Sequence, residues 1–557
     1  LLRTDIGMNA GNIRPRVFFR RQLLFIFLST ILSTAMAGFS TGAGRLNLEG
    51  AGPAGPIIDS VEIRSENVFD LAEPKYDNFL FRLANKTHFV TRPGVIRREL
   101  LLKKGDMYDT ALVSETVRNL RALPFLLKTE IRLDTGRGGE SIMVVNTSDK
   151  WTTTGGVSFH RTGGRDDLRI GIKENNFLGY GIFMSHNFLI VENDRDYYQV
   201  EMSDNRVWGK GVSATLFYSD NPRAGQIRAV LGRPHYSLRQ KFGGGILVSR
   251  LNSRFDYYIA EILVAQERQR KQRAQVQVSY RIGPPHLKVH FVPEYEYAES
   301  ETRGRNVYDS SAWSFLPPAV QDSLTHSFKV SFRVQQIKYA VFERISRFHK
   351  AEDVNLGLDA SITVGRALGS NLKRREFDFF SWWPQYTLGL GHNLIIFGAK
   401  GEHWQSDGRQ IRRDINGYLI GYHQYWRRQT LAYRISLTSN RLRERSYTLY
   451  LDEDHGLRGF PAFAFNGEER LIINIENRYF STLEILSVGI GGVAFADIGN
   501  IWTRDAEPKM RKTRVTFGVG LRLGVSRSTQ AEVVRIDVAY SPERRNWQIS
   551  FGTGQFF

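Results

Sequence analysis

From Trp151 onward, apolar and polar residues alternate with a period of two, the repeat of a strand whose successive side chains face opposite ways. Val515, Phe517, Val519, Leu521, Leu523 and Val525 make one face of such a segment. Arg514, Thr516, Gly518, Gly520, Arg522, Gly524 and Ser526 make the other. Residues 198–202 and 212–218 behave in the same way. One alternating strand does not separate a half-buried soluble sheet from a membrane barrel, because both alternate. Number does. Alternating segments of roughly ten residues, parted by Gly/Asn/Asp-rich connections, fill the rest of the chain with almost no helical pattern. Such a run would need several soluble sandwiches, whereas one closed barrel satisfies every backbone group in lipid. Some connections are short (205–211) and others long and polar (298–327), an asymmetry that membrane barrels show. The pattern therefore predicts a mostly β chain, with a transmembrane antiparallel β-barrel of roughly sixteen strands over residues 151–557.

A different pattern precedes it. Residues 57–64 read as a strand with Ile57, Val61 and Ile63 on one face. Residues 93–103 read as a helix, with Pro93 at its start, Ile96, Leu100 and Leu101 apolar, and Gly105 beyond its end. Asp109 is placed to cap a second helix through Leu123, with Leu112, Val113, Val117 and Leu120 inward. Residues 125–133 and 141–145 add two strands around the turn at 136–139. The predicted module, residues 57–150, has the order β-α-α-β-β.

The first residues carry a basic run at 14–21, an apolar run at 23–32 and small residues at Ala35 and Ala37. This is the layout of a secretory signal peptide over residues 1–37, cleaved after Ala37. Residues 38–56 form a Gly-rich linker. Its match to a dinucleotide fingerprint, residues 50–55, has no strand before it and a proline inside it, and so carries no weight. No later stretch approaches the 18 or so uninterrupted apolar residues of a membrane helix.

Composition changes little. The chain of 557 residues has 24% charged and 41% hydrophobic residues, and 51 glycines and 36 phenylalanines suit strands and tight turns. With no cysteine, thiolate metal sites and thiol catalysis are excluded. The net charge of +19 is spread along the chain and no nucleic-acid-binding motif appears, so anionic lipid head groups are a better partner than nucleic acid. The twelve histidines are scattered, and no catalytic, metal or cofactor motif emerges. The expectation is a non-enzyme.

One loop stands out. Leu457, Arg458, Gly459 and Phe460 lie between two strand-like segments, with Gly456 before them and Pro461 after, so the backbone is bent around a single cation. This tetrad resembles the loop motif of the BamA/TamA superfamily of outer-membrane assembly and secretion barrels, also described as the bacterial surface antigen family. Phe495-Ala-Asp497-Ile-Gly499 resembles that family's aromatic-x-Asp-x-Gly strand motif, and Glu476-Asn-Arg478 lies between the two on a strand whose other face is Leu471, Ile473 and Ile475. Residues 174–179 and 535–539 are also similar. The turn Gly105-Asp-Met-Tyr108 makes the first module similar to a POTRA domain.

The resemblance implies an outer-membrane barrel of a Gram-negative-type bacterium with its POTRA domain in the periplasm. Lipid and lipopolysaccharide would surround it, unfolded or exported client proteins would pass, and periplasmic or lipoprotein accessory subunits could join. It implies a lumenal loop whose Arg458 pairs with Asp497, with Glu476 as second candidate, because a guanidinium gives a carboxylate two parallel hydrogen bonds. It implies a weak seam between first and last strands, near 152–159 and 547–556, and a terminal strand signal at Phe557. The implied function is insertion or translocation of proteins at the outer membrane. A single POTRA departs from general assembly factors, and residues 38–56 are too short for the plug helix of a dedicated secretion transporter. That transporter, and a passive or structural barrel, are the alternatives.

Overall fold

The computed structural model describes residues 55–557 except 75, 163–164, 192–194, 208, 210, 260–261, 309–321, 347–350, 370–375, 407, 427, 443–448, 486–487, 504–511 and 526–532. The expected signal peptide and nearly all of the linker lie outside the described residues.

From Thr153 onward the strands close into a barrel of 20 among the described residues, not the sixteen expected. The reason is that the connections are tighter than the polar stretches suggested. Residues 298–327 read as a long connection, yet the strand Leu287–Val307 runs through much of it and the next begins at Ser323. Elsewhere the strand ending at Leu390 turns straight into the one starting at Asn393. Strand length varies around the ring. Phe242–Ile259, Ile262–Ile282 and Leu287–Val307 span 18, 21 and 21 residues, whereas Val534–Ser541 and Asn546–Thr553 span 8 each. The ring closes between Asn546–Thr553 and Thr153–Thr162. The neighbouring pairs along the rest of the ring are antiparallel, and the closing pair is hydrogen-bonded as well.

The faces of the wall are inverted relative to a soluble sheet. Val515, Phe517, Val519 and Leu521 are exposed on the outside, while Thr516 and Arg522 between them are buried inside. Ile473 and Ile475 face out, and Asn474 and Glu476 are buried inside. No helix among the described residues is long and apolar enough to cross a membrane.

The front module contains β1 (Ser60–Glu66), α1 (Phe79–Thr87), α2 (Pro93–Glu99), α3 (Thr110–Ala122), β2 (Leu126–Thr135) and β3 (Ser141–Asp149). β3 lies in the middle, parallel to β1 and antiparallel to β2. Ile58, Ile96, Leu120, Phe125 and Met143 are buried in its core. Two expectations are corrected. Ile57 is exposed and Ile58 buried, because the strand begins only at Ser60. The expected helix over 93–103 stops at Glu99, where Leu100 turns extended. The order is also β-α-α-α-β-β. Helix α1 was not foreseen, because Phe79, Leu80 and Leu83 point away from the core and blur its apolar stripe. Asn78 starts it by accepting from the amides of Leu80 and Phe81, and Phe81 turns inward against Phe69 and Tyr76.

The module is fixed to the barrel end that carries the turns at 175–181 and 234–241, called here the near end. Glu99 and Arg206 make a bidentate pair at 3.0 and 3.1 Å, both side chains buried. The Arg206 guanidinium lies 3.3 Å over the Tyr236 ring, and the Tyr236 hydroxyl donates to the Glu99 carbonyl. Burial holds the Tyr236 hydroxyl well above the usual phenol pKa, so it stays a donor. Buried Glu115 accepts the Leu238 amide, which explains a charge on the inner side of α3. Asn176 donates to Thr91 at 2.8 Å, and the Arg92 amide to the Gly179 carbonyl at 3.0 Å.

Breaking the pair leaves a buried charge uncompensated, a loss of about 3–5 kcal/mol. Arg206→Ala should therefore loosen residues 60–149 while the barrel stays folded. Hydrogen exchange would read this as faster exchange confined to the front module.

Candidate functional site

The wall strand Glu469–Ile485 alternates Asn474, Glu476 and Arg478 into the lumen, and its neighbour Val488–Trp502 presents Phe495, Asp497 and Gly499 there. Register brings Asn474 opposite Asp497 and Glu476 opposite Phe495. Next come Arg514–Val525, with Thr516 and Arg522 inward, and Val534–Ser541, with Asp537 inward. Antiparallel pairing thus gathers acids and bases from four consecutive strands onto one patch of inner wall.

The loop between Gln429–Leu442 and Glu469–Ile485 opens at the far end and folds back into the barrel. A small hairpin, Leu449–Leu451 with Phe465–Gly467, forms its base. Asp452 shapes the tip, accepting from the amides of His455 and Phe463 while its carbonyl takes the Leu457 amide. Gly456 and Gly459 adopt φ of 106° and 86°, a region costly to residues with a Cβ. Leu457 and Phe460 anchor the tip by packing with Leu449, Leu451, Ile472 and Ile501. Arg458 is left pointing at the wall, 0% exposed.

Its guanidinium is saturated. Nε and Nη2 donate to the two oxygens of Asp497 at 2.7 and 2.9 Å, the fork-to-fork geometry that lysine cannot copy. Nη1 donates to Glu476 at 2.8 Å and to Asp537 at 3.2 Å. The two ring faces are covered as well, by Phe495 at 3.5 Å and Phe556 at 3.8 Å. The acids are shared onward. Arg478 donates to Glu476 at 2.8 Å, Arg522 to Asp537 at 2.5 Å, and Asn474 to Asp497 at 2.7 Å. The fully buried Arg458, Arg478 and Arg522 face the fully buried Glu476, Asp497 and Asp537, and the partly buried Arg535 adds a fourth cation 3.2 Å from Asp537.

Each position of the strand motif has a physical task. Phe495 stacks on the guanidinium and Asp497 clamps it. Gly499 leaves room for the loop, since a Cβ there would stand 2.8 Å from Leu451 Cδ1. The structure thus brings together Leu457, Arg458, Gly459, Phe460, Asp497, Glu476, Phe495 and Gly499. Asp537, Arg522 and Asn474 were not singled out as partners. Asp537 lies within the familiar segment 535–539 and alternates inward with its neighbours, a signal that could have found it.

Residues 554–557 fold back toward the node. The last strand ends at Thr553, and Gly554, with φ of 80°, turns the following residues inward. Phe556 covers Arg458, and the Phe557 carbonyl accepts from Arg478 at 2.9 Å. Stacking on buried guanidinium groups holds these rings better than an outward continuation of the strand. A second inward segment comes from the near end, the hairpin Tyr339–Phe342 with Glu352–Asn355, whose Ile345 carbonyl also accepts from Arg478 at 3.0 Å.

A closed antiparallel barrel with an inward loop locked to its wall by a buried arginine is the class this structure defines. The chain is similar to several solved structures. BamA from Haemophilus ducreyi lacking POTRA domains 1–3 is 12% identical, with 89% of this chain and 83% of that one covered and a TM-score of 0.36. CdiB from Acinetobacter baumannii is 10% identical, with 98% and 99% covered and a TM-score of 0.38. CdiB from Escherichia coli is 10% identical, with the same coverage and a TM-score of 0.41. No family model matches the chain, and no curated protein does.

Arg458→Lys keeps the charge but loses the two-pronged contact and the reach to Glu476. It should free residues 449–467 to proteases added from the far end, while the barrel still forms. Arg458→Ala should do so more completely, because three buried carboxylates then lose their common partner. Unchanged protection in both variants would mean that apolar packing alone holds the loop.

Proposed function

We propose that the chain is an outer-membrane barrel of the BamA/TamA superfamily that assists insertion of other proteins into the outer membrane or their passage across it. The carrying observation is the buried Arg458 node, in which both sequence motifs meet on one patch of inner wall. In this reading the apolar outer wall faces lipid and lipopolysaccharide, and the front module is a POTRA domain in the periplasm. No covalent chemistry is involved.

The wall itself suggests how a client is handled. The ring is closed by two short strands, Thr153–Thr162 and Asn546–Thr553, of 10 and 8 residues, so few hydrogen bonds hold that junction. Parted strands expose rows of backbone donors and acceptors, which template an incoming strand. The front sheet offers a similar edge on β2, since β3 occupies only its other side. The loop and the near-end hairpin hold the lumen side of the wall in shape while the seam opens. Their presence inside the barrel also weighs against a passive pore. A dedicated transporter for one exported protein uses the same parts and differs only in its client.

The chain has no cysteine, so an introduced pair reports cleanly. Cysteines placed on Thr153–Thr162 and Asn546–Thr553 should, when oxidised, stop insertion of an unfolded outer-membrane barrel into vesicles carrying this protein. Reduction should restore it. Insertion that continues with the seam locked would sink the mechanism. Solute leakage without any insertion would instead assign a channel.

A further inference from the structure

Helix α1 keeps one face for the module and leaves the other bare. Phe81 and Ala84 pack inward with Phe69, Tyr76 and Trp151, and Trp151 lies two residues before the first barrel strand. On the opposite arc Phe79, Leu80 and Leu83 are 74, 57 and 46% exposed. Arg82 and Lys86, four residues apart, line the edge of that arc, and Arg82 is tied to Asp77 at 2.9 Å. Bare aromatic and aliphatic groups flanked by cations are the layout of a helix that lies in a membrane interface.

The surroundings of this face point the same way. After α1 the chain passes Phe89, 58% exposed, and fastens to the near-end turn through the contacts of Thr91 and Arg92 with Asn176, Leu178 and Gly179. That turn is itself apolar outside, with Phe177, Leu178 and Tyr180 each about two-fifths exposed. It joins wall strands whose outward residues include Ile170 and Ile172, also exposed. Around the same rim Phe242 and Trp426 are bare, as the aromatic girdle of a membrane barrel would be. The apolar surface of α1 thus precedes, by a few residues, a point where the chain is fastened to a turn that is itself apolar outside.

We propose that α1 docks on the lipid leaflet bordering the near end, with Phe79, Leu80, Leu83 and Phe89 at the boundary of head groups and acyl chains. This holds the front module against the membrane next to the first barrel strand, so that its sheet edge is presented where the seam opens. The inference rests on the reading of the barrel as membrane-inserted, and the experiment separates the two.

The full chain carrying single cysteines labelled with an environment-sensitive fluorophore would be folded into vesicles of phosphatidylethanolamine and phosphatidylglycerol with brominated acyl chains. Val519→Cys, on the outer wall, reports insertion. Arg137→Cys, in the turn between β2 and β3 at the far end of the module, reports water. The inference expects Phe79→Cys and Leu83→Cys to lose emission about twofold or more relative to unbrominated vesicles, with Arg137→Cys unchanged. Quenching at Val519 but none at Phe79 and Leu83 overturns the docking of α1 and leaves the barrel reading intact. No quenching at Val519 overturns the barrel reading itself. Labels on α1 that are shielded only when an unfolded client is added would assign this face to client protein, and would also overturn the inference.

Discussion

A guanidinium cannot be taken out of water without partners, and the whole lumenal arrangement follows from satisfying Arg458. Four of its guanidinium N–H groups donate to three carboxylates, and two aromatic rings stack on it, contributed from four regions of the chain. Because no single strand could supply them, the node ties the loop tip, three wall strands and the segment after the last strand together. Loss of one of its charged members leaves the remaining buried charges out of balance, which is strongly disfavoured. That is the physical basis for a loop held in one position inside an otherwise wide barrel.

The node also lies close to the place where the ring closes. It covers strands a few positions from the seam, and Phe556, just beyond the last strand, is one of its members. Long strands on the far side of the ring provide continuous ladders, while the short strands near closure provide few. The buried pair of Glu99 and Arg206 sets the front module against the near end in the same manner, by placing charges where only each other can answer them.

Much of this was legible from residues alone, and the reasons differ by element. Period-two alternation needs only neighbouring side chains, so Val515 to Leu523 announced the faces of their strand. The tetrad and the strand motif were recognisable because each position has a task that few residue types fill: a fork at Arg458, a fork-matching acid at Asp497, a missing Cβ at Gly499. Helix α1 was hidden because its apolar residues lie on the outer arc. Strand number was misjudged because polar residues inside the lumen look like the polar residues of connections.

The amino-acid sequence by itself determined the alternation, the identity of the bent loop and the type of group Arg458 would require, since these depend on local chirality, side-chain spacing and ionic chemistry. Only the tertiary structure decided which acids share that arginine, that Phe556 turns in to cover it, and that the apolar faces look outward. Those outcomes depend on strand register and ring closure, which are set by hydrogen bonds between residues far apart in the chain. Asp537, 79 positions from Arg458, reaches it because the ladders of the intervening strands bring it there.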